Sequence, residues 1–284
     1  MTGPTVTGAS LSPSQFVVAA NDGEIDLERA FEVLQGRLAV HIVHNYIDAT
    51  DCARIAGNFW LSTGRRPRYG DGADGVEGYL LGASHIEKSV TRYLDEVQEC
   101  QLAVNLLYSG VMDPLQRLRS LVATHPMVRC ARPARHEGRN AADSKAVCWN
   151  GSGSYLLEPH DDVSQLSDPL QADFEIHGRE RVTAVNLYPA IARGSGPIKL
   201  WNVMPDRLSV ARLGLQYSGF PYPPESLEGY PSLVLDLRRG DLCLLNGNLV
   251  HAVMRGEAGT PPSSRLLITC FMSFSDQGEL LWWT

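Results

Sequence analysis

Apolar residues follow two different patterns along the chain, and the change comes at about residue 128. Before it, they recur at helical spacing. Leu27, Ala30, Phe31 and Leu34 fall at i, i+3, i+4 and i+7, which predicts a helix over 26–34 that stops at Gly36. The run LAVHIVHNYI at 38–47 reads as a short strand, and 49–61 as a second helix. Five glycines and a basic cluster make Arg65 to Gly82 a predicted loop. A long stripe through Ile86, Val90, Tyr93, Leu94, Val97, Gln101, Val104 and Tyr108 predicts a helix over 84–108, with Ser84 and Glu87 as its capping box. Asp113-Pro114 supplies an N-cap and a first-turn proline for a helix to about Ala123. After residue 128 short strands are predicted at 146–149, 154–157, 182–188, 198–203, 233–237, 241–246 and 265–274, separated by Pro and Gly clusters.

Strands and helices do not alternate in the second half, which argues against a doubly wound parallel sheet and for a sandwich or barrel. The chain therefore reads as one domain over 1–284. Residues 1–20 are expected to be a flexible lead, 21–128 a mainly helical half, and 129–284 a β core with an aromatic tail.

Composition narrows the function classes. The 284 residues are 44% hydrophobic and 20% charged, enough for a full core and unlike a disordered chain. A net charge of −7 gives no basic footprint for nucleic acid. No apolar run approaches a membrane span and no secretory signal is apparent, so a cytoplasmic protein is expected. The six cysteines are scattered without a CxxC pair, which fits reduced thiols rather than a metal cluster. A homodimer is compatible with the sequence.

Two histidines precede a carboxylate by two positions: His85 before Glu87, and His160 before Asp162. His85 and Glu87 are expected in a helical first turn, where i and i+2 cannot grip one ion. His160 and Asp162 follow a predicted strand, where i and i+2 point the same way, a parity that selects Asp162 over Asp161. His251 follows the GD turn and apolar strand of RRGDLCLLNGNLVHAV. Two histidines and one carboxylate would leave a metal with open adjacent positions. Arg265 opens the strand RLLITCFMSF and shares a face with Leu267, Thr269 and Phe271, so it calls for an anionic partner.

This ordered set resembles the Fe(II)/2-oxoglutarate-dependent oxygenases, over about residues 146–275. Within that superfamily the stretch from GDLCLLNGNLVHAV to the terminal LLWWT resembles small-molecule aliphatic hydroxylases and halogenases acting on free amino acids and alkaloids. The resemblance implies a double-stranded β-helix (a cupin-like jelly roll) with N-terminal helices. It implies His160, Asp162 and His251 as Fe(II) ligands, and Arg265, with Thr269, as the site for 2-oxoglutarate. The implied reaction consumes O2 and 2-oxoglutarate, releases succinate and CO2, and hydroxylates an aliphatic C–H of a small molecule. An amino acid or amino-acid-derived metabolite is favoured as substrate over a nucleotide or alkaloid. Halogenases carry Gly or Ala where Asp162 stands, so the resemblance points to a hydroxylase. Candidate substrate residues are Arg65, Arg66 and Arg68 of the loop, Trp149, Asn186 and Trp201 of the strands, and Trp282 and Trp283 of the tail. Competing readings are a zinc hydrolase with the same ligands and a non-catalytic jelly-roll binding module.

Overall fold

The computed structural model describes residues 5–67, 76–151, 155–191, 196–255 and 265–284. Its centre is a pair of β-sheets. The smaller runs Tyr155–His160, His251–Met254, Ile198–Trp201, Ser232–Leu235, all antiparallel. The larger has at its middle Leu242–Asn246, Thr183–Ala190, Arg265–Phe274 and Lys145–Gly151, again antiparallel. In chain order these eight strands cross repeatedly from one sheet to the other.

One apolar cluster fills the space between the sheets. It joins Ile198, Leu200, Leu235 and Val253 of the smaller sheet to Val147, Trp149, Tyr188, Cys243, Leu267 and Phe271 of the larger. Period-two alternation sends the intervening residues of the larger sheet outward, where Val185, Leu187, Leu244, Ile268 and Cys270 meet helices. These are α1 (Leu27–Leu34), α2 (Ala49–Leu61) and α4 (Pro114–Ala123), which contribute Phe31, Leu34, Ile55, Phe59, Leu115, Leu118 and Val122. Each begins at an aspartate, Asp26, Asp48 or Asp113, whose carboxylate accepts from a first-turn N–H. This layering explains why strands covered on both faces read as continuous apolar runs.

The N-terminal half is less purely helical than its periodicity predicts. Val40–His44 pairs with Leu242–Asn246 and with Val18–Asp22, so strands from this half extend the larger sheet. The predicted 65–82 loop contains strands Arg66–Pro67 and Val76–Leu81, the latter paired with Lys145–Gly151. The expected flexible lead is packed from residue 6 onward. Val6, Leu11 and Phe16 are buried, and Leu11 exchanges two hydrogen bonds with the Asn202 side chain. Three well-spaced apolar anchors outweigh the Gly/Pro/Ser/Thr composition there.

The long helix α3 is Val90–Leu107, six residues shorter at its start than predicted, and its cap is Ser89 rather than Ser84. Glu87 takes φ +57°, a left-handed conformation that cannot belong to a helical turn. His85 is fully buried, held through its backbone N–H and its Nδ1 by the Thr284 carbonyl. Among the described residues no helix is long and apolar enough to cross a membrane, and the cysteines are all free thiols.

Candidate metal centre

The end of Tyr155–His160 and the start of His251–Met254 are neighbours in the smaller sheet, with His160 directly opposite His251. Their rings lie 4.2 Å apart between centroids. Asp162, two residues past the strand, is tied to the larger sheet because its N–H donates to the Gly247 carbonyl at 2.7 Å. Its Oδ1 is 3.9 Å from His160 Nε2 and its Oδ2 is 3.4 Å from His251 Nε2. One ligand atom from each residue falls within 4.8 Å of the others.

The surroundings prepare this cluster to hold an ion. His160 Nδ1 donates to the Glu158 carbonyl at 2.8 Å, and His251 Nδ1 to the Leu249 carbonyl at 2.9 Å. A carbonyl only accepts, so both imidazoles carry the proton on Nδ1 and turn the Nε2 lone pair toward Asp162. Asp162 is 5% exposed, and its Oδ2 is buried without a hydrogen-bond partner. Burial pushes its carboxyl up to about 6, with His251 opposing the shift and Asp161 adding to it. A lone-pair oxygen stripped of water beside two oriented imidazole nitrogens fits a divalent cation. Two nitrogens and one oxygen on one side suit iron, with further positions left for other ligands.

Asp161 has a different task. Its carboxylate accepts from Tyr222 Oη at 2.6 Å and from Ser164 N and Oγ at 2.7 and 2.9 Å. Those bonds use its lone pairs and anchor the turn that presents Asp162. Tyr222 and Gly247 carry no motif and escape sequence reasoning. A Cβ on Gly247 would stand 2.8 Å from Asp162 Oδ2, so only glycine leaves that oxygen its place.

Arg265 faces the same interior. It is 1% exposed, stacked 5.4 Å from the Trp149 ring and 5.0 Å from the Tyr188 ring. Nη2 donates to Tyr188 Oη at 3.4 Å, whereas Nε and Nη1 have no partner. Burial lowers its pKa, but a guanidinium starts so high that it keeps its charge. A buried cation with two unused donors calls for an anionic partner. Gly196 makes room for it, since a Cβ there would lie 2.8 Å from Arg265 Cδ.

The remaining predicted residues divide by face. Trp149 and Asn186 point inward: Trp149 touches Arg265, and Asn186 lies opposite both Thr269 and Cys243. Thr269 also points inward, but Leu267 intervenes on the same face and no hydrogen bond links Thr269 to Arg265. Tyr188 Oη, not Thr269, is the hydroxyl beside the guanidinium. Trp201 faces away, in a cluster with Val6, Val203 and Val250 on the outer side of the smaller sheet. Its neighbour Leu200, opposite His251, takes the inward place. Trp282 is on the helix side, its Nε1 donating to Asp143 Oδ1 at 2.7 Å. Trp283 faces the interior but is sealed against Phe271 and His85.

Arg65 bonds the Phe59 and Trp60 carbonyls at the end of α2 and stacks on Trp60, again on the helix side. Arg66 pairs with Glu96 of α3 at 2.9 Å. Arg68 lies outside the described residues. Lys145 is an inward cation that sequence reasoning passed over. The alternation Lys145, Val147, Trp149 carried the signal.

No family model matches the chain. It is 28% identical over 254 residues to L-isoleucine 3(1)-dioxygenase of Pantoea ananatis (strain AJ13355), which covers 86% of this chain and 83% of that protein. The fold is similar to the crystal structure of an N-substituted L-amino acid dioxygenase from Burkholderia ambifaria AMMD, with a TM-score of 0.51, 14% identity and 91% of each chain covered. It is also similar to the non-heme alpha ketoglutarate dependent epimerase SnoN of nogalamycin biosynthesis, with a TM-score of 0.50, 15% identity, and 88% and 87% covered.

Proposed function

We propose that this chain, which resembles the Fe(II)/2-oxoglutarate-dependent oxygenases in sequence and fold, is a dioxygenase that hydroxylates an aliphatic C–H bond of a small free amino acid. The observation that carries the reading is the pairing of two features inside one barrel. A His160–Asp162–His251 face is shaped for a divalent metal, and Arg265 is a buried cation awaiting an anion. The repeated strand crossings between the two sheets support a double-stranded β-helix. Similarity to an isoleucine dioxygenase over most of both chains supports an amino-acid substrate.

Fe(II) held by the three ligands, with 2-oxoglutarate beside it, supplies O2 activation coupled to release of succinate and CO2. The residues of the chain supply geometry. His160 and His251 present neutral Nε2 atoms because their Nδ1 protons are committed to carbonyls. Asp162 supplies the anionic ligand and fills the position that halogenases leave to chloride, which favours hydroxylation. Arg265 receives the distal carboxylate of 2-oxoglutarate through Nε and Nη1, with Tyr188 holding Nη2. Trp149 and Leu267 close the walls around that ion pair and exclude water.

The test is anaerobic addition of Fe(II) and 2-oxoglutarate, followed by absorption in the visible charge-transfer region. The wild-type protein develops a band that Asp162→Ala and Arg265→Ala lose or weaken. Aerobic turnover with L-isoleucine and related aliphatic amino acids then gives a product heavier by one oxygen atom, with succinate in step. A folded, iron-loaded wild type without a band refutes the oxygenase reading. Activity with zinc and without O2 indicates a hydrolase instead.

A further inference from the structure

The barrel interior has a second inward-facing cation in addition to Arg265. Lys145 is 6% exposed, opens the Lys145–Gly151 strand and lies opposite Thr269, which in turn lies opposite Asn186. Its Nζ donates to Ser84 Oγ at 2.9 Å and stands 5.4 Å from the Phe271 ring.

The two cations lie at different depths. Arg265 leans on Trp149 and Tyr188, at the opening end of the Arg265–Phe274 strand. Lys145 reaches the other way, to Phe271, six residues further along that strand. The metal cluster is at this second level. Asp162 donates to Gly247, Gly247 donates to Val182, and the next residue, Thr183, pairs with Met272 beside Phe271. Arg265 is thus the cation farther from the metal level, placed for the far end of a co-substrate chelating the metal. Lys145 stands at the level where the attacked carbon has to lie.

A reaction that uses 2-oxoglutarate and a free amino acid brings two carboxylate-bearing molecules into one barrel. Resting on the amino-acid dioxygenase reading, we infer that Lys145 receives the carboxylate of the substrate and so makes the enzyme selective for free acids over amines and amides. Ser84 fixes the Nζ position, and Asn186 and Thr269 supply uncharged polar groups at the same level of the ladder. His85, pushed down to about 3 by burial with Lys145 contributing, stays neutral and does not compete for the anion. The carboxylate anchors one end of the substrate and leaves an aliphatic side chain of four carbons to reach toward the metal.

The experiment is calorimetric titration of protein loaded anaerobically with Fe(II) and 2-oxoglutarate. L-isoleucine is compared with 2-methylbutylamine, which lacks only the carboxylate, on wild type, Lys145→Met and Lys145→Arg. A charge-assisted contact predicts about 10- to 100-fold weaker binding of the amine to wild type. Lys145→Met loses a similar factor for L-isoleucine, no longer separates the two ligands, and keeps 2-oxoglutarate affinity within about threefold. Lys145→Arg recovers part of the discrimination. Should Lys145→Met not fold, Lys145→Gln, which keeps a donor for Ser84, serves the same comparison. Equal binding of acid and amine by wild type, or unchanged L-isoleucine affinity in the lysine variants, overturns the inference. Those results with the charge-transfer band intact refute the lysine alone, whereas loss of the wild-type band refutes the dioxygenase reading itself.

Discussion

Replacing Arg265 with methionine should move stability and co-substrate affinity in opposite directions. In the ligand-free protein the guanidinium is 1% exposed and leaves Nε and Nη1 without partners. Each such buried donor costs about 1–3 kcal/mol. Against this, the guanidinium gains about 1 kcal/mol from each of its two ring contacts, at 5.4 and 5.0 Å. Methionine fills similar space without the unpaired donors, so Arg265→Met is expected to stabilise the ligand-free fold by about 1–2 kcal/mol, a rise in Tm of a few degrees. The same change removes a two-pronged charge-assisted contact to the distal carboxylate, worth about 3–6 kcal/mol, or roughly two to four decades in Kd for 2-oxoglutarate. The assays are urea unfolding without ligand and anaerobic titration with 2-oxoglutarate. A variant that unfolds more easily yet binds 2-oxoglutarate within threefold of wild type would show that Arg265 is a structural residue.

Gly247→Ala places a methyl group 2.8 Å from Asp162 Oδ2. It should weaken Fe(II) binding by about tenfold or more with a smaller effect on Tm, since ligand orientation is disturbed before packing is; equal iron affinity in a competition titration would contradict this. Asp162, raised by burial to about 6, holds a proton in the metal-free fold that the unfolded chain releases near 4. Metal-free stability should therefore fall as pH rises from about 4 to 6, by about 3 kcal/mol from this group, and Asp162→Asn should flatten that slope; denaturant titrations across that range check it. Arg65→Ala and Trp201→Phe should each cost about 1–3 kcal/mol of stability, because one caps the end of α2 and the other fills the outer cluster of the smaller sheet. Both should leave substrate KM within about twofold, and a larger change would return those residues to the pocket.

What the sequence made legible was local. Asp113 caps α4 where predicted, because an aspartate cap acts within three residues of itself, and Asp26 and Asp48 do the same at the predicted starts of α1 and α2. The Arg265–Phe274 strand and the choice of Asp162 over Asp161 followed from period-two parity, which is also local. The start of α3 was misjudged because Ser84 and Glu87 match a cap pattern, while His85 is drawn into the core by Thr284, 199 residues away. Trp201 and Trp282 face away from the interior for the same reason. Whether Trp149, Trp201 or Trp282 faces the interior is decided by sheet register, and register depends on strands remote in sequence.

The hydrogen bonds that orient His160 and His251 end on Glu158 and Leu249, each two residues back along the same chain segment. Each imidazole therefore carries its own orienting group within its own tripeptide. Both orienting carbonyls come from the ring's own segment rather than from the facing sheet. Substitutions elsewhere in the cavity can then explore new side-chain shapes without turning the two Nε2 atoms. A scaffold organised this way can change the molecules it accepts while the paired imidazoles stay in place, because each ring is set by a three-residue stretch of its own.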